Sequence, residues 1–464
     1  MLVIEIKKEL KRNEVDKMIR VFDFHKMPIV DVVNEILYDS AKRGASDIHF
    51  DPRSNHMVIR IRIDGSLEDY ADVPQDVEKN LTTRVKIIAS MNITESRLPQ
   101  DGALKIKIRD LNLDLRVSSL PTNHGEKVVI RILDYSRSFS GLEALDFSEI
   151  NYKKVLEMVK RPNGIILVTG ATGSGKSTTV YSILQRLNQP DTNIITVEDP
   201  VEMEIEGINQ IQVNSEIGLT FASALRSILR QDPNIIMIGE IRDTETAQIA
   251  VRASITGHLV LSTIHTNNSL NTIERLTDMG VEKYLLASSL EGIISQKLAR
   301  RLCPKCKKER PANDYEKELM KKTLGVDIEK TWTTVGCDEC QGGYKGRTAI
   351  HEVLLINQEI RDAISNGMRK EDLRKLVYTG TSTLLQDGLE KALKGDTTIE
   401  EILKLIELDV DDIKEEGDLN IKDSLEEIKI ANESKKSNQL NELKEKIIIN
   451  NSKDKQEIDA EPLF

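Results

Sequence analysis

The eight residues Gly170-Ala171-Thr172-Gly173-Ser174-Gly175-Lys176-Ser177 constrain this chain more than any other feature. They fill every fixed position of G-x-x-x-x-G-K-[ST], a pattern that works only between a buried strand and the start of a helix. Its glycines let successive backbone N–H groups turn inward around phosphates, and the helix N-terminus adds partial positive charge. The flanks supply that context: 165–169 reads as the incoming strand and 177–187 as the outgoing helix, with Thr178 extending the motif. In this reading Lys176 meets the β- and γ-phosphates of ATP, and the Ser177 hydroxyl ligates Mg²⁺. The alternative is a plain glycine-rich turn. The spacing does not fit G-x-G-x-x-G, which disfavours a dinucleotide site.

Around the loop, the runs 165–168, 194–197, 235–238 and 259–261 are apolar throughout but for Thr196, as expected of parallel strands buried on both faces. Phe221, Leu225, Ile228 and Leu229 recur between them at helical spacing. An α/β layered domain is therefore expected over 150–408.

Upstream the pattern differs. Residues 28–45 place Val30, Val33, Ile36, Leu37 and Ala41 on one helical face, with Gly44 as a stop. The runs 57–63 and 104–108 alternate apolar with basic residues, Asp64-Gly65 marks a turn, and 127–133 adds a further strand. This predicts an α+β unit over 28–135, preceded by a short segment 1–27 and followed by a small, polar linker over 136–149.

Charge is unevenly placed. Residues 409–464 carry 16 acidic against nine basic side chains, more than half of the chain's net −11. They read as a flexible acidic tail without a packed core, with a helix around 438–449. The body that remains is close to neutral, which argues against a protein built to wrap nucleic acid. No apolar run reaches the roughly 18 residues of a membrane span, and the charged start lacks a signal-peptide core. A cytoplasmic protein is expected.

Hydrolysis needs a carboxylate to help hold Mg²⁺ and another to orient water. Glu240 follows the apolar run 235–238, and Glu198 and Asp199 end the run 194–197, on the edge where open α/β sheets bind ligands. His258 and His265 flank 259–264, where either senses a γ-phosphate or caps the sheet. All four cysteines fall in two C-x-x-C pairs, Cys303/Cys306 and Cys337/Cys340. That distribution favours a closed tetrahedral Zn²⁺ site in a small subdomain over 303–340, although the gap between the pairs exceeds the usual zinc-ribbon length. Redox or inert thiols are the alternative.

Four blocks together resemble one family, the hexameric secretion ATPases that power type II secretion and type IV pilus assembly. They are the loop; Ile195-Thr196-Val197-Glu198-Asp199-Pro200-Val201-Glu202, similar to the family's aspartate box; the stretch from Leu229 through Gly239-Glu240-Ile241-Arg242-Asp243, similar to its Walker B region; and Thr256-Gly257-His258 through His265-Thr266-Asn267, similar to its histidine box. Ala45-Ser46-Asp47-Ile48-His49, Arg60-Ile61-Arg62-Ile63-Asp64-Gly65, Leu98-Pro99-Gln100-Asp101-Gly102 and Arg116-Val117-Ser118 extend the resemblance into the first unit. It implies a RecA-like P-loop ATPase domain behind a smaller PAS-like α+β domain. It also implies that Glu240 is the Walker B acid, that Glu198 acts near the attacking water, and that first-domain arginines reach the nucleotide on domain closure. Arg116 and Arg131 are the candidates, since a planar, permanently charged guanidinium stabilises charge on a transferred phosphoryl group. The family usually reads Gln-Asp-Gly-Arg where this chain has Gln100-Asp101-Gly102-Ala103, so one arginine is missing and Arg60 or Arg62 is the candidate substitute.

The resemblance implies a homo-hexamer working on an inner-membrane platform protein, peripheral to the inner face of the cytoplasmic membrane, for pilus or pseudopilus assembly or type II protein secretion. A tetracysteine motif belongs to assembly-type members. Two other readings remain: a retraction-type pilus motor, and a DNA-uptake-associated ATPase with a nucleic-acid-binding zinc module. Direct nucleic-acid binding is not expected, because only Tyr315, Trp332 and Tyr344 lie near the cysteines.

Overall fold

A computed structural model describes residues 22–133 and 141–407. The helix expected around 438–449 lies outside them.

The first half builds one sheet from Ala45–Pro52 (β1), His56–Ile63 (β2), Ser66–Pro74 (β3), Gln100–Ile108 (β4), Leu111–Thr122 (β5) and Gly125–Leu133 (β6). The order is β3-β2-β1-β6-β5-β4, and every neighbouring pair is antiparallel. Asp64 (φ 47°) and Gly65 (φ 85°) are both left-handed, as a tight hairpin between β2 and β3 requires.

Helices Ile29–Lys42 and Gln75–Ile88 cover one face. Ile36, Leu37, Leu81 and Val85 pack there against Ile48, Phe50, Ile59, Leu115 and Ile130. One expectation is corrected: Val30 is 39% exposed, whereas Val32 is fully buried. Val30 sits in the helix's first turn at the margin of the stripe formed by Val32, Val33, Ile36, Leu37, Ser40 and Ala41.

The opposite face is charged because the strands alternate. Strand register sets Arg62, Asp47, Arg131, Arg116 and Ala103 side by side in one row across β2, β1, β6, β5 and β4.

The second sheet contains Gly164–Thr169 (β7), Ile194–Glu198 (β8), Asn209–Gln212 (β9), Ile235–Ile238 (β10), Leu259–Ile264 (β11) and Leu290–Leu302 (β12). After the short strands Lys308–Pro311 (β13) and Lys330–Thr333 (β14), Tyr344–Leu355 (β15) completes it. Its order is β15-β12-β7-β11-β10-β8-β9. The pairs from β9 to β12 are parallel and β15 is antiparallel, so the sheet is mixed. Strands β7, β8, β10 and β11 are buried at every position, and one apolar core lies on each face. Their carboxyl ends therefore share one edge, where open α/β sheets hold ligands.

Residues 311–330 fall in a second compact unit. Helix Asp314–Leu324 within it starts at a capping box between Asn313 and Glu316 and ends at Gly325 in the left-handed conformation. Among the described residues no helix is long and apolar enough to cross a membrane.

Candidate functional site

The loop expected from the sequence leaves the end of β7 and enters helix Lys176–Leu187. Gly170, Gly173 and Gly175 all take positive φ (148°, 80° and 88°), conformations that side chains resist. At Gly170 a Cβ would lie 2.4 Å from the Gln296 carbonyl oxygen, so only glycine fits. With Ala171, Thr172 and Ser174 these residues form a cradle of backbone ahead of Lys176, Ser177 and Thr178. The Lys176 ammonium folds back to donate to the carbonyls of Gly170 (2.9 Å) and Ala171 (3.1 Å). Burial lowers its pKa, while the charges of Glu240 and Glu202 act in the opposite direction.

Glu240 lies just beyond β10, on the same edge. Its carboxylate accepts from the Arg242 guanidinium and lies 3.3 Å from His265 Nε2. Arg242 also lies 3.8 Å from Asp199, and its pKa is raised, chiefly by the bond to Glu240. Glu198 is placed differently. It is 3% exposed, and its carboxylate accepts from Tyr181, from Thr196 Oγ1 at 2.5 Å and from Gln210 Nε2 at 3.0 Å. Burial and the Glu198 charge push the Tyr181 phenol upward, so it stays a donor.

The two histidines part company. His265 follows the carboxyl end of β11, whereas His258 precedes its amino end and its Nδ1 lies 2.9 Å from the Ala253 carbonyl. At about 3.3 Å per residue they stand roughly 20 Å apart along the strand. His258 therefore cannot reach a phosphate held by the loop of the same chain, and of the two only His265 stands beside Glu240.

An open cleft of about 1400 Å³ runs along the charged face of the first sheet, lined there by Asp47, Ala103, Arg116 and Arg131 and opposite by Asp199 and Glu202. Arg116 donates to the Val201 carbonyl at 3.1 Å. Arg131 instead donates to Asp47 at 2.9 Å. Arg60 is paired with Asp51, and Arg62 lies 3.7 Å from Asp47; neither lines the cleft. Sequence reasoning missed Tyr181, Gln210 and Arg242, whose part depends on partners brought in by folding; only Arg242, within a quoted block, had any local signal.

A family model described as Type II/IV secretion system protein matches residues 24–404, spanning the loop, both acids and all four cysteines. The chain belongs to that family. The type II secretion system protein E of Aeromonas hydrophila is 45% identical over 379 residues, covering 82% of this chain and 75% of that protein. The type II secretion system ATPase E of Vibrio cholerae serotype O1 is 44% identical over 381 residues, with 82% and 75% covered. Among solved structures, the pilus retraction motor PilT with bound ADP is 27% identical at a TM-score of 0.57, covering 80% of this chain and 96% of that one. The Legionella pneumophila ATPase DotB shares the fold, at a TM-score of 0.61 and 21% identity.

This secretion-family ATPase also brings its four cysteines together. Their sulfurs all lie within 4.8 Å of one another, with separations of 3.9 Å for Cys303–Cys337 and 3.6 Å for both Cys306–Cys340 and Cys337–Cys340. Four thiolates at about 2.3 Å from a tetrahedral zinc stand about 3.8 Å apart, so the set fits such an ion. Burial raises the Cys303 pKa, but backbone N–H groups of Lys305 and Cys306, together with the Cys306 and Cys337 thiols, bring it down to about 7. The 30 residues between the pairs are occupied by β13, helix Asp314–Leu324 and β14.

Proposed function

We propose that this ATPase is a hexameric motor that powers pilus or pseudopilus assembly or type II protein secretion. The observation that carries the proposal is the meeting of Lys176, Glu240 and His265 at one edge of the second sheet. Lys176 leaves the carbonyls of Gly170 and Ala171 to meet the β- and γ-phosphates, which supply a better acceptor for a buried ammonium. Ser177 and Glu240 would hold Mg²⁺, which when bound neutralises charge on the phosphates. Glu198 serves near the attacking water after release from Tyr181, and His265 reports the γ-phosphate to Glu240. Arg116 and Arg131 lie on the cleft wall and act when the two halves close on the nucleotide.

In this proposal 28–135 is a PAS-like motor subdomain and 150–408 a RecA-like ATPase domain, joined by 136–149. Cys303, Cys306, Cys337 and Cys340 hold a structural zinc that fixes the base of the 303–340 subdomain. The protein works in the cytoplasm at the inner face of the membrane, against an inner-membrane platform protein, without binding nucleic acid directly. The tetracysteine set favours assembly over retraction.

The test is ATP hydrolysis by the purified chain measured against protein concentration. Specific activity that rises with self-association, and that Lys176→Ala abolishes, supports the motor. Activity absent at every concentration and with candidate membrane partners refutes it.

A further inference from the structure

Gln296 lies on β12, one residue past Ser295, whose backbone is paired in register with Thr169 at the end of β7. The glutamine therefore arrives beside the phosphate loop from more than a hundred residues downstream, and it is 2% exposed. Its Nε2 donates to the Ser174 carbonyl at 2.8 Å, and its Oε1 accepts from Thr179 Oγ1 at 2.7 Å. A carbonyl can only accept, so the Ser174 contact fixes which way the amide points. The same residue closes on the loop twice more. Its backbone oxygen occupies the space a Cβ would need at Gly170, and its Nε2 would be 3.1 Å from one at Gly175.

One planar amide thus joins the crest of the loop to the first turn of the helix behind it, across Gly175, Lys176, Ser177 and Thr178. Three glycines give this loop its shape and also its freedom in the absence of a ligand. A buried bridge across that segment lowers the number of backbone arrangements that must be given up when phosphate binds.

We propose that Gln296 is a positioning residue for nucleotide binding, which holds the phosphate loop in its binding conformation. It acts through Ser174 and Thr179 and touches no reacting atom. The inference rests on the reading of the loop as an ATP site.

The test compares full-length Gln296→Leu, Thr179→Val and the double variant with the unsubstituted chain, by equilibrium binding of magnesium ATP and by steady-state hydrolysis. Losing the two neutral hydrogen bonds in Gln296→Leu is expected to raise Kd and KM about tenfold, with kcat at saturating ATP changed less than about threefold. Thr179→Val should raise both by a few-fold, and the double variant should be no weaker than Gln296→Leu alone, since both disrupt one bridge. Gln296→Glu keeps the acceptor for Thr179 but sets an oxygen against the Ser174 carbonyl, so it should weaken binding at least as much as Leu. Unchanged Kd in a folded Gln296→Leu, or a loss confined to kcat, overturns the inference. Should neither position-296 variant fold, Thr179→Val decides alone, with unchanged Kd counting against the bridge. Failure of the unsubstituted chain to bind magnesium ATP removes the ATP-site reading itself, whereas normal binding by every variant removes only the bridge.

Discussion

Ala103 on β4 is the direct cross-strand partner of Arg116 on β5, and Arg116 is in turn the partner of Arg131 on β6. Position 103 is therefore next to Arg116, on the same wall of the cleft. Of the substitutes suggested by sequence, Arg60 is engaged with Asp51, and Arg62 stands at the end of the same row against Asp47; neither lines the cleft. The row itself supplies the neighbouring charge.

This arrangement predicts that Arg116→Ala lowers kcat by about a thousandfold, the low end of the range for arginines that stabilise phosphoryl-transfer charge. Ala103→Arg should raise kcat/KM a few-fold by adding a second guanidinium beside it. Steady-state hydrolysis checks both. An Arg116→Ala variant with normal turnover would place the row outside the chemistry.

At the other side of the site, the Glu240 carboxylate is shared by Arg242 and His265. Glu240→Gln keeps the shape but removes the charge available to Mg²⁺, so turnover should drop by at least about a hundredfold while ATP binding persists. Lys176→Ala should instead lose binding, because the loop then lacks its buried cation. Parallel binding and hydrolysis measurements separate the two; equal effects on both quantities in both variants would contradict these roles.

The cysteine cluster predicts one zinc per chain by metal analysis. Trp332 is the chain's single tryptophan and packs tightly over Gly395, while Lys307 stands over its ring at 4.6 Å. It therefore reports on the cysteine subdomain. Chelation or Cys306→Ser should remove the metal, shift Trp332 emission to longer wavelength and lower Tm by roughly 5 °C or more. Full retention of Tm and emission after metal loss would show that the thiols need no ion.

Much of this could be read from the chain because burial left simple marks. Strands β7, β8, β10 and β11 are covered on both faces, so their runs are mostly apolar, with Thr169, Thr196, Glu198, Ser262 and Thr263 as the polar exceptions. The loop follows β7 at fixed spacing for the same steric reason that it needs its glycines. Other elements left no such mark. Strand β1 carries Asp47 and Asp51, each 6% exposed, and these acids are tolerated because Arg131 and Lys127 arrive from β6. Strand β12 contains Glu291, Gln296 and Lys297 at buried positions, each reading locally as surface. Glu291 meets Arg361 at 2.7 Å, and Lys297 donates to the Leu405 carbonyl at 2.6 Å. Where a polar group is buried against a partner distant in the chain, hydropathy reports the wrong side of the protein. The acids show the same limit. Glu198 and Glu240 are alike as strand-end carboxylates, and only folding encloses one with Tyr181 while leaving the other beside His265.

His351 on β15 tests burial of a different kind. Its ring is fully enclosed, stacks on Phe147 at 3.9 Å between centroids, and neither ring nitrogen has a hydrogen-bond partner among the described residues. Its backbone N–H is held by Asp387 at 2.9 Å, and Lys391 lies 3.0 Å from the same carboxylate. Burial, reinforced by the Lys391 charge, lowers the pKa of His351 well below the ordinary value of 6.5. The unfolded chain takes up a proton there as pH falls through about 6.5, whereas the folded chain cannot, so the unfolded state binds more protons and stability declines. The contribution approaches 1.4 kcal/mol per pH unit below that point. His351→Leu should leave the urea midpoint at neutral pH nearly unchanged and flatten its fall toward about pH 5, relative to the unsubstituted chain. Other groups titrate in both proteins, so the difference between the two curves is the quantity that decides. Curves that stay parallel would mean that His351 gains its proton without leaving its place under Phe147.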